Sequence, residues 1–243
     1  MHCRASSTTG RSRSLAAAVL VAAGVTLAAQ GKPVPEFQVP AIREPHHFVK
    51  LDNAMVRVLD VTVPPYDGTL YHAHENPYFW VAIGAAALRG QTLGASDIVT
   101  IDKQDGEVTW SPEVTHRVAN VAATPFRNIT VQIQGRDTMS TGTSFAATPR
   151  PRGYQAAPPL DNAVVHIERL VLEPGQTTGS YTLPKSGLLI AVTGGTLTVE
   201  SPGLPAARVS MRPGDFDWHT GPLTHGLTNV GTSRFEAVEA VWK

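Results

Sequence analysis

Two histidines that stand two residues apart are the first chemically informative feature of this 243-residue chain. Residues i and i+2 of a β-strand face the same side, so His72 and His74 project together if the segment is a strand. His116 is the natural third member, arriving from a later strand. Three neutral imidazoles suit a divalent ion such as Zn, Cu, Fe or Ni, and they leave positions open for water or a substrate.

The alternative for these three histidines is a hydrogen-bonded polar core without a metal, because buried imidazoles can pair with hydroxyls and carbonyls. Two buried, unpaired imidazoles are costly, which favours a shared metal ion. His46 and His47 precede the first strand and adjoin a proline. We expect both to be surface or edge residues rather than ligands.

Two residues after the histidine pair are the catalytic candidates. Tyr78 has the same strand parity as His74, so it can enter the same pocket, although it could equally be a core aromatic with a satisfied hydroxyl. Glu75 follows His74 directly, and on a regular strand it faces away. Pro77 can mark a bulge that reorients this stretch, so a role for Glu75 as fourth ligand, outer partner or surface charge stays open.

An internal repeat predicts a duplicated domain. The tetrapeptide at 51–54 recurs at 160–163, and we call this displacement along the chain the repeat offset. The same offset relates the segment 116–121 to the segment 225–230, which share His, Asn and Val in the same places. A repeat of this length is too long for a solenoid unit, so each copy is expected to fold as its own domain.

Each copy is rich in short runs of Val, Ile and Thr bounded by Gly, Pro, Asn or Asp, a pattern typical of strands. No long helical period occurs outside the N-terminal segment. Many short strands per copy indicate a sandwich or jelly roll, so we expect an all-β protein of two tandem barrels. The expected organisation is a signal peptide at 1–30, a first barrel at 42–146, a proline-rich linker at 147–159 and a second barrel at 160–243.

The motif residues resemble those of the cupin family. The resemblance rests on a glycine ahead of His-x-His and a later His-x-x-x-Asn, at Gly68, His72, His74, His116 and Asn120. It covers about 42–135, and it covers 160–243 in the hydrophobic pattern and the second motif. The resemblance implies two cupin-type β jelly rolls, a bicupin, with the metal inside the first barrel.

The chain departs from the cupin pattern in two ways. Cupins usually supply a glutamate four or five residues after the second histidine, where this chain has Tyr78 and Phe79. The second motif is one residue short between Pro112 and His116, and it lacks its glycine.

The second copy lacks the histidine pair. The repeat offset replaces His72 with Tyr181 and His74 with Leu183, and only His225 survives, near Trp218 and His219. A three-histidine site cannot assemble there. We interpret the second barrel as structural, with an apolar small-molecule pocket as the alternative.

The histidine triad predicts a metal-dependent enzyme that acts on a small organic substrate through His72, His74 and His116, and the resemblance to cupins implies that its chemistry is dioxygenase-like or isomerase-like. Its expected cofactor is a divalent transition metal: Fe, Zn, Cu, Ni or Mn. The alternative is a non-catalytic small-molecule-binding or structural envelope cupin with a vestigial site. The missing glutamate favours that alternative, whereas the intact triad favours the enzyme.

Composition and the N-terminus suggest where the protein acts. Arginines at 4, 11 and 13 precede a 15-residue apolar run at 15–29, which is short for a membrane span and typical of a signal peptide. An uncleaved anchor is the alternative. We expect a secreted or periplasmic protein without stable membrane insertion after cleavage, and without a thiol, because Cys3 precedes the run. Lys plus Arg equals Asp plus Glu, 20 each, so no nucleic-acid partner is expected, and a homo-oligomer is compatible with the sequence.

Overall fold

The computed structural model describes residues 37–137 and 143–243, and the expected signal peptide at 1–30 lies outside this described part. The described residues form strands, turns and one short 3-10 turn, without an α-helix. They accordingly contain no helix with the length and hydropathy needed to cross a membrane. The all-β class expected from the sequence is confirmed.

The first barrel consists of two five-stranded sheets. Its strands are β1 (Gln38–Pro40), β2 (His47–Asp52), β3 (Val56–Val63), β4 (Tyr71–His74), β5 (Tyr78–Ala82), β6 (Ala86–Thr92), β7 (Val99–Lys103), β8 (Val108–Ser111), β9 (Val114–Asn120) and β10 (Phe126–Ile133). One sheet has the order β1-β4-β9-β6-β7 and the other β2-β3-β10-β5-β8. The 3-10 turn Ala41–Arg43 joins β1 to β2.

The second barrel consists of a five-stranded and a four-stranded sheet. Its strands are β11 (Leu160–Asp161), β12 (Val165–Leu172), β13 (Thr177–Leu183), β14 (Gly187–Ala191), β15 (Gly195–Glu200), β16 (Ala207–Met211), β17 (Phe216–His219), β18 (Leu223–Asn229) and β19 (Phe235–Trp242). Their orders are β11-β12-β19-β14-β17 and β13-β18-β15-β16.

Strand register confirms the duplication. In the antiparallel pair of β4 and β9, His72 lies opposite His116. In the pair of β13 and β18, Tyr181 lies opposite His225. Both members of the second pair follow those of the first by the repeat offset read from the sequence, so the two barrels share one strand arrangement.

A buried asparagine closes the same turn in each barrel. The side-chain nitrogen of Asn120 donates to a carbonyl oxygen 57 residues earlier and to one 4 residues later, at 3.2 and 2.8 Å. Asn229 donates to carbonyl oxygens at the same separations, at 2.8 and 2.9 Å. Since unpaired buried carbonyls are costly, this role explains why both copies keep the asparagine although only one keeps the histidine pair.

The segment expected to be a linker belongs to the second barrel. Thr148 and Thr182 exchange two backbone hydrogen bonds, at 3.0 and 2.8 Å. Tyr154 forms an isolated bridge with Leu170 and packs against the apolar core of that barrel. The prolines of 147–159 therefore prevent a regular strand, but the segment still packs on the second barrel.

The two barrels share one apolar core. Along the central strands, alternate side chains point into the barrel and toward the other barrel, as the period of a strand requires. The face between the barrels is built from fully buried apolar residues, which include Val58, Phe79, Ile129, Val131, Ile167, Leu188, Val238 and Trp242.

Two arginines cross the boundary between the barrels in opposite directions. Arg127 pairs with Asp60 at 3.0 Å and donates to the carbonyl oxygen of Pro213 in the second barrel at 2.7 Å. Arg169 of the second barrel donates to the carbonyl oxygen of Gly106 in the first at 3.2 Å. These contacts fix how one sheet lies on the other.

We predict that Ile129→Ala destabilises both barrels together. Ile129 is fully buried between them, so its truncation should cost about 2–5 kcal/mol, as large-to-small core changes do. Urea unfolding followed by circular dichroism should show one transition at a lower midpoint. Ile98→Ala is the matched control, since Ile98 is 59% exposed and its truncation should cost no more than about 0.5 kcal/mol. Two separate transitions in the Ile129 variant would contradict a shared core.

Candidate metal centre

The first barrel brings the three predicted histidines together. His72 and His74 lie on β4 and His116 on β9, and one ring nitrogen from each lies within 4.8 Å of the other two. Three nitrogens bound to one ion at about 2.0–2.1 Å are roughly 3.0–3.6 Å apart, so the rings would move together by about 1–2 Å at most around an ion. This donor set fits a divalent transition metal.

Backbone and side-chain partners orient the rings. Nδ1 of His72 lies 2.9 Å from the carbonyl oxygen of Leu70. Because a carbonyl can only accept, Nδ1 carries the proton and Nε2 keeps its lone pair, as in most metal-bound imidazoles. Nδ1 of His74 lies 3.1 Å from the side-chain amide of Gln132, whose own oxygen has no partner among the described residues. With the carboxamide turned so that its oxygen accepts from Nδ1, His74 would take the same tautomer.

Burial keeps the rings uncharged. Desolvation, followed by the neighbouring imidazoles, lowers the pKa of His74 to about 2 and that of His116 to about 3. Desolvation also lowers the pKa of His72. All three rings are therefore neutral at pH 7, which is the state a metal ligand must have.

A fourth histidine lies beside the triad: His47 is on the edge strand β2, as one expected alternative had it, but it is buried and is not a surface residue. His47 is buried, its ring centroid lies 4.6 Å from that of His72, and its Nδ1 lies 2.9 Å from the carbonyl oxygen of Ala41. The 3-10 turn and the parallel pairing of β1 with β4 bring it there. No local pattern signals that pairing, because it joins residues that are far apart along the chain.

The two catalytic candidates differ in position. The ring of Tyr78 stacks on that of His74 with centroids 4.1 Å apart, and burial raises the pKa of its hydroxyl, which interacts with Ser111. Glu75 follows the end of β4, is exposed, and does not line the barrel cavity. The turn at 75–77 leads from β4 to β5 in the other sheet, and this change of sheet places the phenol beside the triad and leaves the carboxylate outside the cavity.

The cavity around the triad has a volume of about 420 Å³, which suits a small organic molecule. Its wall combines apolar and aromatic side chains with hydroxyl and amide groups and with two charged residues, Asp102 and Lys103. Apart from the histidines and Tyr78, the lining includes Val61, Leu88, Trp110, Phe126, Asn128 and Thr130. A bound molecule would therefore meet polar groups beyond the histidines as well.

The second barrel does not repeat the centre. Tyr181 and Leu183 are buried at the places of His72 and His74. Within the described residues, the only histidine and carboxylate cluster with metal-binding spacing is that of the first barrel.

Solved structures share this architecture. Oxalate decarboxylase from Bacillus subtilis is 11% identical, with a TM-score of 0.54, over 77% of this chain and 68% of that one. Vicilin from Solanum lycopersicum is 10% identical, with a TM-score of 0.55, over 78% and 75%. AerE from Microcystis aeruginosa is 8% identical, with a TM-score of 0.54, over 82% and 98%. These structures show that the chain has a two-barrel jelly-roll fold of the cupin type.

Sequence comparison adds nothing to this assignment, because no family model and no curated protein sequence matches the chain.

We predict that His47 makes the metal-free protein less stable in acid. Burial lowers its folded pKa to about 3, whereas the unfolded side chain titrates near 6.5. The unfolded chain thus binds the extra proton as the pH falls below 6.5, which removes up to about 1.4 kcal/mol of stability per pH unit. Urea midpoints of chelator-treated protein and of His47→Phe, measured from pH 7.5 to 4.5, should diverge accordingly. If the urea midpoints of the two proteins differed by the same amount at every pH in this range, the lowered pKa of His47 would be contradicted.

Proposed function

We propose that the first barrel binds a divalent transition metal through His72, His74 and His116 and is the active site of a metal-dependent enzyme. The observation that carries the proposal is the convergence of three neutral, buried imidazoles within 4.8 Å at the end of a substrate-sized cavity. When bound, such an ion supplies Lewis-acid or dioxygen chemistry at its open positions. The reaction is proposed to be dioxygenase-like or isomerase-like, on a small organic substrate.

The proposed metal is one of Fe, Zn, Cu, Ni and Mn, because imidazole nitrogen suits the first four and the fold also occurs with the fifth. The Bacillus subtilis oxalate decarboxylase, which shares this fold, has Mn(II) centers. That example supports a divalent ion in this chain without selecting among the five.

Tyr78 and His47 are proposed to form hydrogen bonds with the substrate. The raised pKa of Tyr78 keeps its proton on the hydroxyl at neutral pH, so the phenol can donate to a substrate oxygen held beside the triad. Because Nδ1 of His47 donates to a backbone carbonyl, its Nε2 can accept from a substrate hydroxyl. The aromatic wall at Trp110 and Phe126 would bury the apolar part of the substrate and exclude water.

A non-catalytic cupin that binds a small molecule, or that has a structural role in the envelope, is the second candidate function. The specific observation in its favour is Tyr78, which replaces the glutamate expected from the cupin resemblance and leaves no carboxylate beside the triad among the described residues.

Export through the segment 1–30 to the periplasm or the exterior is part of the proposal. It is supported by the arginines and the apolar run of that segment, and N-terminal sequencing of the exported protein would test it.

We predict that His74→Ala removes the bound metal while both barrels stay folded, because two imidazoles alone hold such an ion poorly. Leu183→Ala is the matched control, since it truncates the residue at the same place in the second barrel. It should cost about 2–5 kcal/mol and leave the metal content per molecule unchanged. Elemental analysis and melting temperatures of the two variants check both statements. Equal metal content in the wild type and in His74→Ala would contradict the proposed metal site.

We predict that Tyr78→Phe keeps its metal and loses turnover, by about 10²–10⁴-fold if the phenol acts as a general acid. Oxygen uptake and product analysis with a panel of small organic substrates would measure the rate, with elemental analysis run in parallel. Since only the hydroxyl is removed, the stacking on His74 should survive. A metal-replete wild type that turns over none of the panel would favour the binding or structural role.

A further inference from the structure

A cavity with a volume of about 780 Å³ lies in the second barrel, against about 420 Å³ in the first, and Lys50, Asp60 and Arg127 of the first barrel also line it. This volume lies in the range of small-molecule sites. Its aliphatic lining residues include Leu189, Leu197, Val199, Met211, Leu223 and Leu227, and its charged ones also include Arg212, Asp215 and Asp217. An apolar chain would lose its water-exposed surface along this wall.

A carboxyl group closes the inner end of this cavity. Glu239 projects inward from β19, lines the cavity and is 2% exposed. The hydroxyl of Tyr181 lies 3.2 Å from both carboxylate oxygens, and the hydroxyl of Tyr154 donates to Oε2. A carboxylate can accept about four hydrogen bonds, so the two phenols leave acceptor capacity on Oε1.

An imidazole beside this carboxyl group lacks a partner. Nε2 of His225 is buried and makes no hydrogen bond within the described part of the chain. It lies 3.9 Å from Oε1 of Glu239, which is too far for a hydrogen bond. Desolvation lowers the pKa of His225 to about 4, so the ring is neutral at pH 7 and does not balance the charge of the carboxylate.

Glu239 has no cationic partner among the described residues, because His225 is the only basic group within 4 Å of it. The neighbouring acid Glu168 pairs with Arg150 at 2.7 Å, and that arginine is thereby engaged. Burial raises the pKa of Glu239 to about 7, and the carboxylate form would gain most from a positive donor.

We propose that the second barrel binds a small aliphatic molecule that carries a protonated amine. Its ammonium group donates to Oε1 of Glu239 and to Nε2 of His225, and its chain lies along the aliphatic wall. An ammonium group has three donors and a full charge, so it can use the remaining acceptor capacity of Oε1 and, with the imidazole proton on Nδ1, the unpartnered Nε2 of His225 at once. This site needs no metal and is independent of the activity proposed for the first barrel.

Three probes with a six-carbon alkyl chain and different polar head groups test the proposal: n-hexylamine, 1-hexanol and hexanoate. Isothermal titration of metal-free protein at pH 8 should show saturable binding of hexylamine at one site, at least about tenfold tighter than either other probe, the difference expected of a charge-assisted pair. Glu239→Gln should weaken hexylamine by about tenfold or more and leave hexanol unchanged. Glu200→Gln, which removes an exposed charge from the same barrel, should change neither.

If Glu239→Gln fails to fold, Leu197→Trp provides the test, because it narrows the cavity and leaves the carboxyl group in place. It should abolish hexylamine binding. Absence of saturable hexylamine binding, equal affinity for the three heads, or hexylamine binding unaffected by these variants would each overturn the proposal. Metal content, measured separately, reports on the first barrel, so failure of one site cannot be mistaken for failure of the other.

Discussion

The packing of the first barrel's sheet β2-β3-β10-β5-β8 against the second barrel's sheet β11-β12-β19-β14-β17 constrains the rest of the molecule. Strands at this boundary are buried on both faces, and their side chains alternate between the neighbouring barrel and their own interior. On β10, Ile129 and Val131 belong to the core between the barrels, whereas Thr130 lines the first cavity and Gln132 contacts His74. The apolar outward face provides the stability that lets the inward face carry polar groups, which are costly to bury.

The second barrel uses the same arrangement for different chemistry. On β19, Val238 and Ala240 lie in the core between the barrels, and Glu239 between them points inward. By the repeat offset, Glu239 takes the place of Thr130. The two barrels therefore differ mainly on the inward faces of equivalent strands, while the outward faces stay apolar because each must fit the other barrel. The residues inside a barrel can therefore change in this fold without disturbing the packing of one barrel against the other.

The sequence predicts much of the fold and the triad, because both follow from local periods. The His-x-His spacing places two rings on one face, and the repeat relates each barrel to the other. The burial of His47 and Tyr154 could not be predicted in this way, because both reach a barrel interior from segments that precede the repeated strands. Their burial depends on pairings between distant residues. Glu239 could not be predicted for another reason: it is one of two glutamates in the mainly apolar run 235–241, and no local pattern distinguishes it from Glu236.

The two barrel centres are different solutions to one physical problem, the burial of converging polar groups. In the first barrel one nitrogen of each of the three imidazoles lies within 4.8 Å of the others, and an ion between them would provide an interaction that all three share. In the second, Tyr181 occupies the place of His72 and bonds Glu239. Without Tyr181, Glu239 would keep only the hydroxyl of Tyr154 as a phenol donor, and a buried carboxylate with fewer hydrogen bonds costs more to bury. The tyrosine that stands in place of a metal-site histidine thus supports the carboxyl group of the second barrel, as the imidazoles of the first barrel would support an ion.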